Sequence, residues 1–159
     1  GLPAEIADLY FERQRLAMCG IHALNNALGA QYLDARDMEH AADTFIAENP
    51  DLGDDLDQHL GRNGDYSIEV MMMALRTKAM DAFDRICWDM EQQRALSGAD
   101  LVGCLGAVQN RDGTHWVALK CRNEQFFLLD SLRNGPQLLT EAELDISLRR
   151  HPTYAIRLL

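Results

Sequence analysis

The spacing of apolar residues changes near Leu101, and that change limits the fold more than any other feature of the chain. Upstream the spacing is helical, as in Ile21, Leu24 and Leu28, in Met38, Ala41, Ala42, Phe45 and Ile46, and in Ile68, Met71, Met72 and Leu75. Downstream it alternates, and strands are predicted over 101–109, 115–121, 125–130 and 154–159. Asn110-Arg111-Asp112-Gly113 supplies one hairpin turn and Arg122-Asn123 another. The fold class that follows is α/β (α+β), with a helical subdomain on a mainly antiparallel sheet. With 159 residues, the chain is read as a single domain over 1–159.

Local signals set most boundaries. Residues 2–12 read as a leader packing through Ile6, Leu9 and Tyr10, as a helical turn or an extended arm. Gly29 is a natural stop for a helix over about 18–28. Asp34 caps a helix that Asn49-Pro50 ends, and Leu52, Leu56 and Leu60 predict a second one stopped by Gly61. Residues 34–60 thus form a helical hairpin arm that projects from the core. Ser67 or Asp65 caps a helix running to about Lys78, and Met71-Met72-Met73 places at least one Met near a surface or cleft. Phe83 to Trp88 reads as a strand, and Thr140 with Glu143 forms a capping box for a helix over about 141–149.

Chemistry concentrates at the first helix. Cys19 falls in its first turn, where unpaired N–H groups and the positive dipole end favour a thiolate. Gln14 lies just upstream, where a side-chain amide can donate to an oxyanion formed on a carbonyl attacked by Cys19. A cysteine so placed is also a good core filler, so the reading turns on its partners. With Arg122-Asn123 as the hairpin loop, His115 opposes Asp130, and the carboxylate can fix the imidazole tautomer. The alternative for that pair is an edge-strand His and a turn-capping Asp before Ser131. The order Gln, Cys, His, Asp is that of a papain-like thiol hydrolase. Trp116 is expected on the other face of its strand, packed in the core, and His22 is expected to be structural.

Charge narrows the partners. A net charge of −10 argues against nucleic acid and anionic membrane surfaces and suits a partner with a basic face. Acidic residues cluster between Asp34 and Asp57, as a solvated helical face or a docking surface. No transmembrane span or signal peptide is visible, and no metal or other cofactor is called for. Cys19, Cys87, Cys104 and Cys121 are expected to be free thiols. The Ala- and Arg-rich composition is compatible with a bacterial effector in a host cytosol, so the expected location is cytoplasmic.

The run Tyr10-Phe11-Glu12-Arg13-Gln14-Arg15-Leu16-Ala17-Met18-Cys19-Gly20-Ile21-His22-Ala23-Leu24-Asn25-Asn26 resembles the signature of the Josephin family of cysteine deubiquitinases. Three later segments agree in order: Gly64-Asp65-Tyr66-Ser67-Ile68-Glu69-Val70, Thr114-His115-Trp116-Val117-Ala118-Leu119 and Phe127-Leu128-Leu129-Asp130-Ser131. The resemblance is greatest to small single-domain Josephins, since Asp130 stands where other members have Asn. It implies a papain-like cysteine protease fold with a helical hairpin beside the cleft. It further implies Cys19 as nucleophile, His115 as general base and acid, Asp130 as orienter and Gln14 as oxyanion donor. The partner implied is ubiquitin or a ubiquitin-like protein, met by a monomer. Candidate substrate contacts are Trp116, Asp37, Glu39 and Ser131.

Overall fold

Capping chemistry sets where the helices begin and end. The computed structural model describes residues 9–14, 18–52, 59, 66–82, 88–92, 96–113 and 115–158. Its helices are α1 (Cys19–Leu28), α2 (Ala35–Glu48), α3 (Ile68–Ala82), α4 (Gly98–Val102) and α5 (Glu141–Arg150). Gly29 stops α1 in the left-handed region at φ 89°, its N–H bonded to the Asn25 carbonyl. Asp34 and Asp37 cap α2 reciprocally, and Thr140 and Glu143 do the same for α5.

The strands are β1 (Trp88–Gln92), β2 (Gly106–Arg111), β3 (His115–Arg122), β4 (Gln125–Leu129), β5 (Gln137–Leu139) and β6 (Thr153–Leu158). They form one sheet in the order β1-β6-β2-β3-β4-β5, every neighbour antiparallel. The mixed helix and antiparallel-sheet fold is the expected one.

Three local expectations need correction. Residues 98–102 are helical rather than the start of a strand, because Ser97 and Asp100 form a capping box and turn Leu101 into the core. The strand expected at 83–88 meets β1 only at Trp88; residues 83–87 lie outside the described ones. The helix α2 does not project, since Met38, Ala41 and Ala42 are buried in the main core beside α3 residues Val70, Met71 and Ala74. Most of the second arm helix and of the leader lies outside the described residues. His59 is described: it is buried, pairs with the Ser67 hydroxyl at 2.6 Å and packs on the Phe45 ring. Met71 is core, while Met72 and Met73 line a groove with Phe45 between α2 and α3.

Alternation along β3 divides the core. Trp116 and Ala118 join the cluster built by α1, α2 and α3, while Val117 and Leu119 join one that includes Leu101 of α4 and Leu144 of α5. Helix α1 lies along β2, β3 and β4. Its approach to β2 is so close that a Cβ on Gly106 would stand 2.5 Å from the Ala27 carbonyl oxygen. Lys120 of β3 donates to that same carbonyl at 2.8 Å, placing a cation at the negative end of the α1 dipole. Burial pushes the Lys120 pKa down, opposing the charge that this contact uses.

Candidate active site

The direction of α1 brings its first residue to the start of β3. Lys120 meets the C-terminal end of α1, and His115, at the other end of the strand, shares a hydrogen bond with Cys19. The thiol is buried, at 3% exposure. Among the described residues no side chain caps the helix in front of it; Met18 occupies the N-cap position. The N–H groups and positive dipole end of a helix start favour an anion there.

His115 is gripped from both sides. Its Nε2 donates to Asp130 Oδ1 at 2.8 Å, which leaves Nδ1 as the nitrogen for the sulfur. The imidazole pKa is pushed up to about 8, chiefly by the hydrogen bond with Cys19; burial lowers it, and the bond to Asp130 raises it again.

The route by which His115 and Asp130 meet differs from the expected one. Asn123 and Glu124, with φ 52° and 64°, form the hairpin turn, so Arg122 pairs with Gln125. This slides β4 by two residues, and Asp130 falls diagonal to His115 instead of opposite it. A slide of two keeps side-chain parity, so both groups stay on one face. That face is the one of Val117 and Leu128, which looks toward α4 and α5. Asp130 lies just past β4 and also caps the turn, accepting the Leu132 N–H at 3.0 Å. Asp130 thus both accepts from the imidazole and caps the turn, and β3, which carries His115, is an interior strand rather than an edge.

Gln14 is fastened beside this pair. Its backbone N–H donates to the Ser131 carbonyl at 2.7 Å, and the Ser131 hydroxyl donates to its Oε1 at 3.1 Å. That leaves the Nε2 hydrogens as donors. Ser131, expected among the substrate contacts, is only 2% exposed and faces Gln14 instead. Trp116, another expected contact, is buried at 4% exposure, donates to the Tyr66 carbonyl at 2.9 Å and packs on Tyr154. Its edge lines an open cavity of about 310 Å3 with Tyr66 and Asn110. Glu39 is exposed on α2, while Asp37 is half-buried, 3.5 Å from the Lys78 ammonium of α3. The Glu39 charge reaches Tyr66, whose phenol pKa rises through burial first and that charge second. These acidic groups are not part of the Cys19 cluster.

Sequence reasoning missed two features. Arg111 pairs with His115 across β2 and β3, is held by Gln109 and the Ser147 hydroxyl, and sends its charge toward Asp130. Glu12 receives hydrogen bonds from three side chains, two of them on α1. The signal for the second was present: His22, Asn25 and Asn26 share one helical stripe that a purely packing helix would fill with apolar residues. Cys19, Cys104 and Cys121 take part in no disulfide, and Cys87 lies outside the described residues. No helix among the described residues is long and apolar enough to cross a membrane.

Comparison with known proteins points to one family. The Josephin family model matches residues 14–154. Josephin-2 of Homo sapiens is 31% identical over 149 residues, covering 85% of this chain and 74% of the relative. Josephin-2 of Mus musculus is 31% identical over 150 residues, covering 86% and 75%. An ataxin-3 homolog of Caenorhabditis briggsae is 30% identical over 146 residues, covering 86% of this chain and 43% of the relative. With the family model spanning α1 through most of β6, the chain belongs to the Josephin family.

Proposed function

We propose that the chain is a thiol-dependent deubiquitinase that hydrolyses peptide or isopeptide bonds at or near the C-terminal tail of ubiquitin. The observation that carries this reading is the convergence of Cys19, His115 and Asp130, three side chains far apart in sequence. Family membership supplies the ubiquitin partner.

In the mechanism, the Cys19 proton passes to His115 and the sulfur attacks the scissile carbonyl carbon. The carbonyl oxygen becomes an oxyanion, held by the Gln14 Nε2 hydrogens and a backbone N–H at the start of α1. Collapse of the tetrahedral species breaks the C–N bond, and the imidazolium gives its proton to the leaving amine. A thioester remains on Cys19. Water, deprotonated by His115, attacks it and releases the ubiquitin carboxylate and the thiol. Asp130 holds the imidazole tautomer throughout. The acidic outer face of α2, with Asp37 and Glu39, suits the basic face of ubiquitin.

A ubiquitin C-terminal activity probe tests this reading. Labelling of wild type and not of Cys19→Ala supports it, and labelling suppressed equally by generic peptides points to a papain-like protease of other specificity. Binding of ubiquitin without any labelling identifies a non-cleaving module. The intact mass of released ubiquitin then separates cleavage after the terminal glycine from a cut inside the tail, which leaves a shortened product.

A further inference from the structure

The segment carrying Gln14 has two anchors, and only one lies at the catalytic loop. Behind Gln14 the chain is clamped to α1 through Glu12. The His22 Nδ1–H donates to Glu12 Oε1 at 2.7 Å, the Asn25 amide donates to the same oxygen at 2.8 Å, and the Tyr10 hydroxyl donates to Oε2. Asn26 holds the Glu12 backbone, its Oδ1 accepting the N–H at 2.7 Å and its amide donating to the carbonyl at 3.3 Å. Asn25 Oδ1 in turn accepts the N–H groups of Tyr32 and Leu33, which fixes the amide's orientation. Cys19, His22 and Asn26 follow helical spacing along one stripe of α1. The face that presents the sulfur therefore also grips the extended segment bearing Gln14.

We propose that Glu12 is a positioning residue whose carboxylate locks residues 12–14 onto the nucleophile helix and thereby sets the Gln14 amide against the oxyanion. The inference rests on the oxyanion-donor reading of Gln14 given above. A single residue, Arg13, separates the clamp from the donor, too little chain for slack to be absorbed, and a displacement near 1 Å costs a donor of this kind ~100-fold in rate. Burial raises the Glu12 carboxyl pKa, but hydrogen bonds from His22, Tyr10 and Asn25 outweigh it and hold the group below its ordinary range. The carboxylate thus stays an acceptor for all three donors at neutral pH.

The test compares wild type, Glu12→Ala, Glu12→Gln, Gln14→Ala and Glu12→Ala/Gln14→Ala on ubiquitin bearing a C-terminal fluorogenic amide. In parallel, a p-nitrophenyl ester serves as an acyl donor independent of ubiquitin. Glu12→Ala is expected to lower kcat or the acylation rate by ~10–100-fold with KM changed less than about twofold. Glu12→Gln, which keeps one acceptor oxygen, should recover part of that loss. The double variant should be no slower than Gln14→Ala alone, because the clamp acts through that side chain. Alkylation of Cys19 by iodoacetamide, which forms no oxyanion, should stay within about twofold of wild type. Multiplying losses in the double variant, or alkylation falling in step with turnover, would overturn the proposal in favour of a general structural role. Unchanged kcat in both Glu12 variants would overturn it too. Should Glu12→Ala fail to fold, Glu12→Gln decides by the same criteria. A wild type that takes the ester and ignores ubiquitin refutes the substrate reading and still tests the clamp.

Discussion

At the scale of single residues the decisive quantity is the proton on His115. Its main cause of elevation is the hydrogen bond with Cys19, so Cys19→Ala is expected to move the imidazole titration down from about 8 toward 6.5, read by NMR of the ring carbon protons. The same elevation sets a pH dependence. Folding raises this pKa, so the stability it contributes is whole below about 6.5 and is lost as pH rises through about 8. The rate is expected to follow, because the imidazolium must protonate the leaving amine. An alkaline limb near pH 8 in kcat/KM would show it, and a profile flat through pH 9 would remove the assignment. Gln14→Ala should lower kcat by ~100-fold. Ser131→Ala, which only frees the Gln14 Oε1, should cost less.

Among the elements, the placement of α1 governs the site. The helix reaches His115 because it lies flat on β2 and β3, and Gly106 is what lets it lie flat. A methyl group there meets the Ala27 backbone, which cannot rotate away. Gly106→Ala is expected to destabilise the fold by about 3 kcal/mol, at the upper end for overpacking, measured by urea denaturation. Because α1 must lift, Cys19 alkylation should change in the same variant. The hairpin between β3 and β4 acts differently. Its turn residue Asn123 tolerates a positive φ, and the register it sets decides whether Asp130 shares a face with His115. Inserting one residue there should abolish turnover.

For the molecule as a whole, charge is the long-range property. The net charge of −10 includes acidic residues on the exposed face of α2, Glu39 and Asp43 among them. Raising ionic strength from about 0.02 to 0.3 M should therefore raise KM for ubiquitin and leave Cys19 alkylation unaltered. Reversing Glu39 to Lys should flatten that dependence. Asp37 is a poorer probe, since it also completes the α2 cap and its loss would cost about 1 kcal/mol of helix stability.

The chain put forward Cys19, Gln14, His115 and Asp130 as candidates, and it alone determined the division into a helical half and an antiparallel half and the caps of α1, α2 and α5. These rest on periodicity and capping, which act over a few residues and leave their mark in local spacing. Only tertiary structure decided the rest. The β3–β4 register depended on which two residues took positive φ, and both Arg122-Asn123 and Asn123-Glu124 fit a two-residue loop. The roles of Ser131 and Glu12 depended on partners more than a helical turn away, 117 residues for one and 10 to 14 for the other. A hydrogen bond between distant side chains needs no periodic pattern on both sides: the polar stripe of His22, Asn25 and Asn26 marks the α1 side of the Glu12 clamp, but nothing local names Glu12, or pairs Ser131 with Gln14, until the fold brings them together.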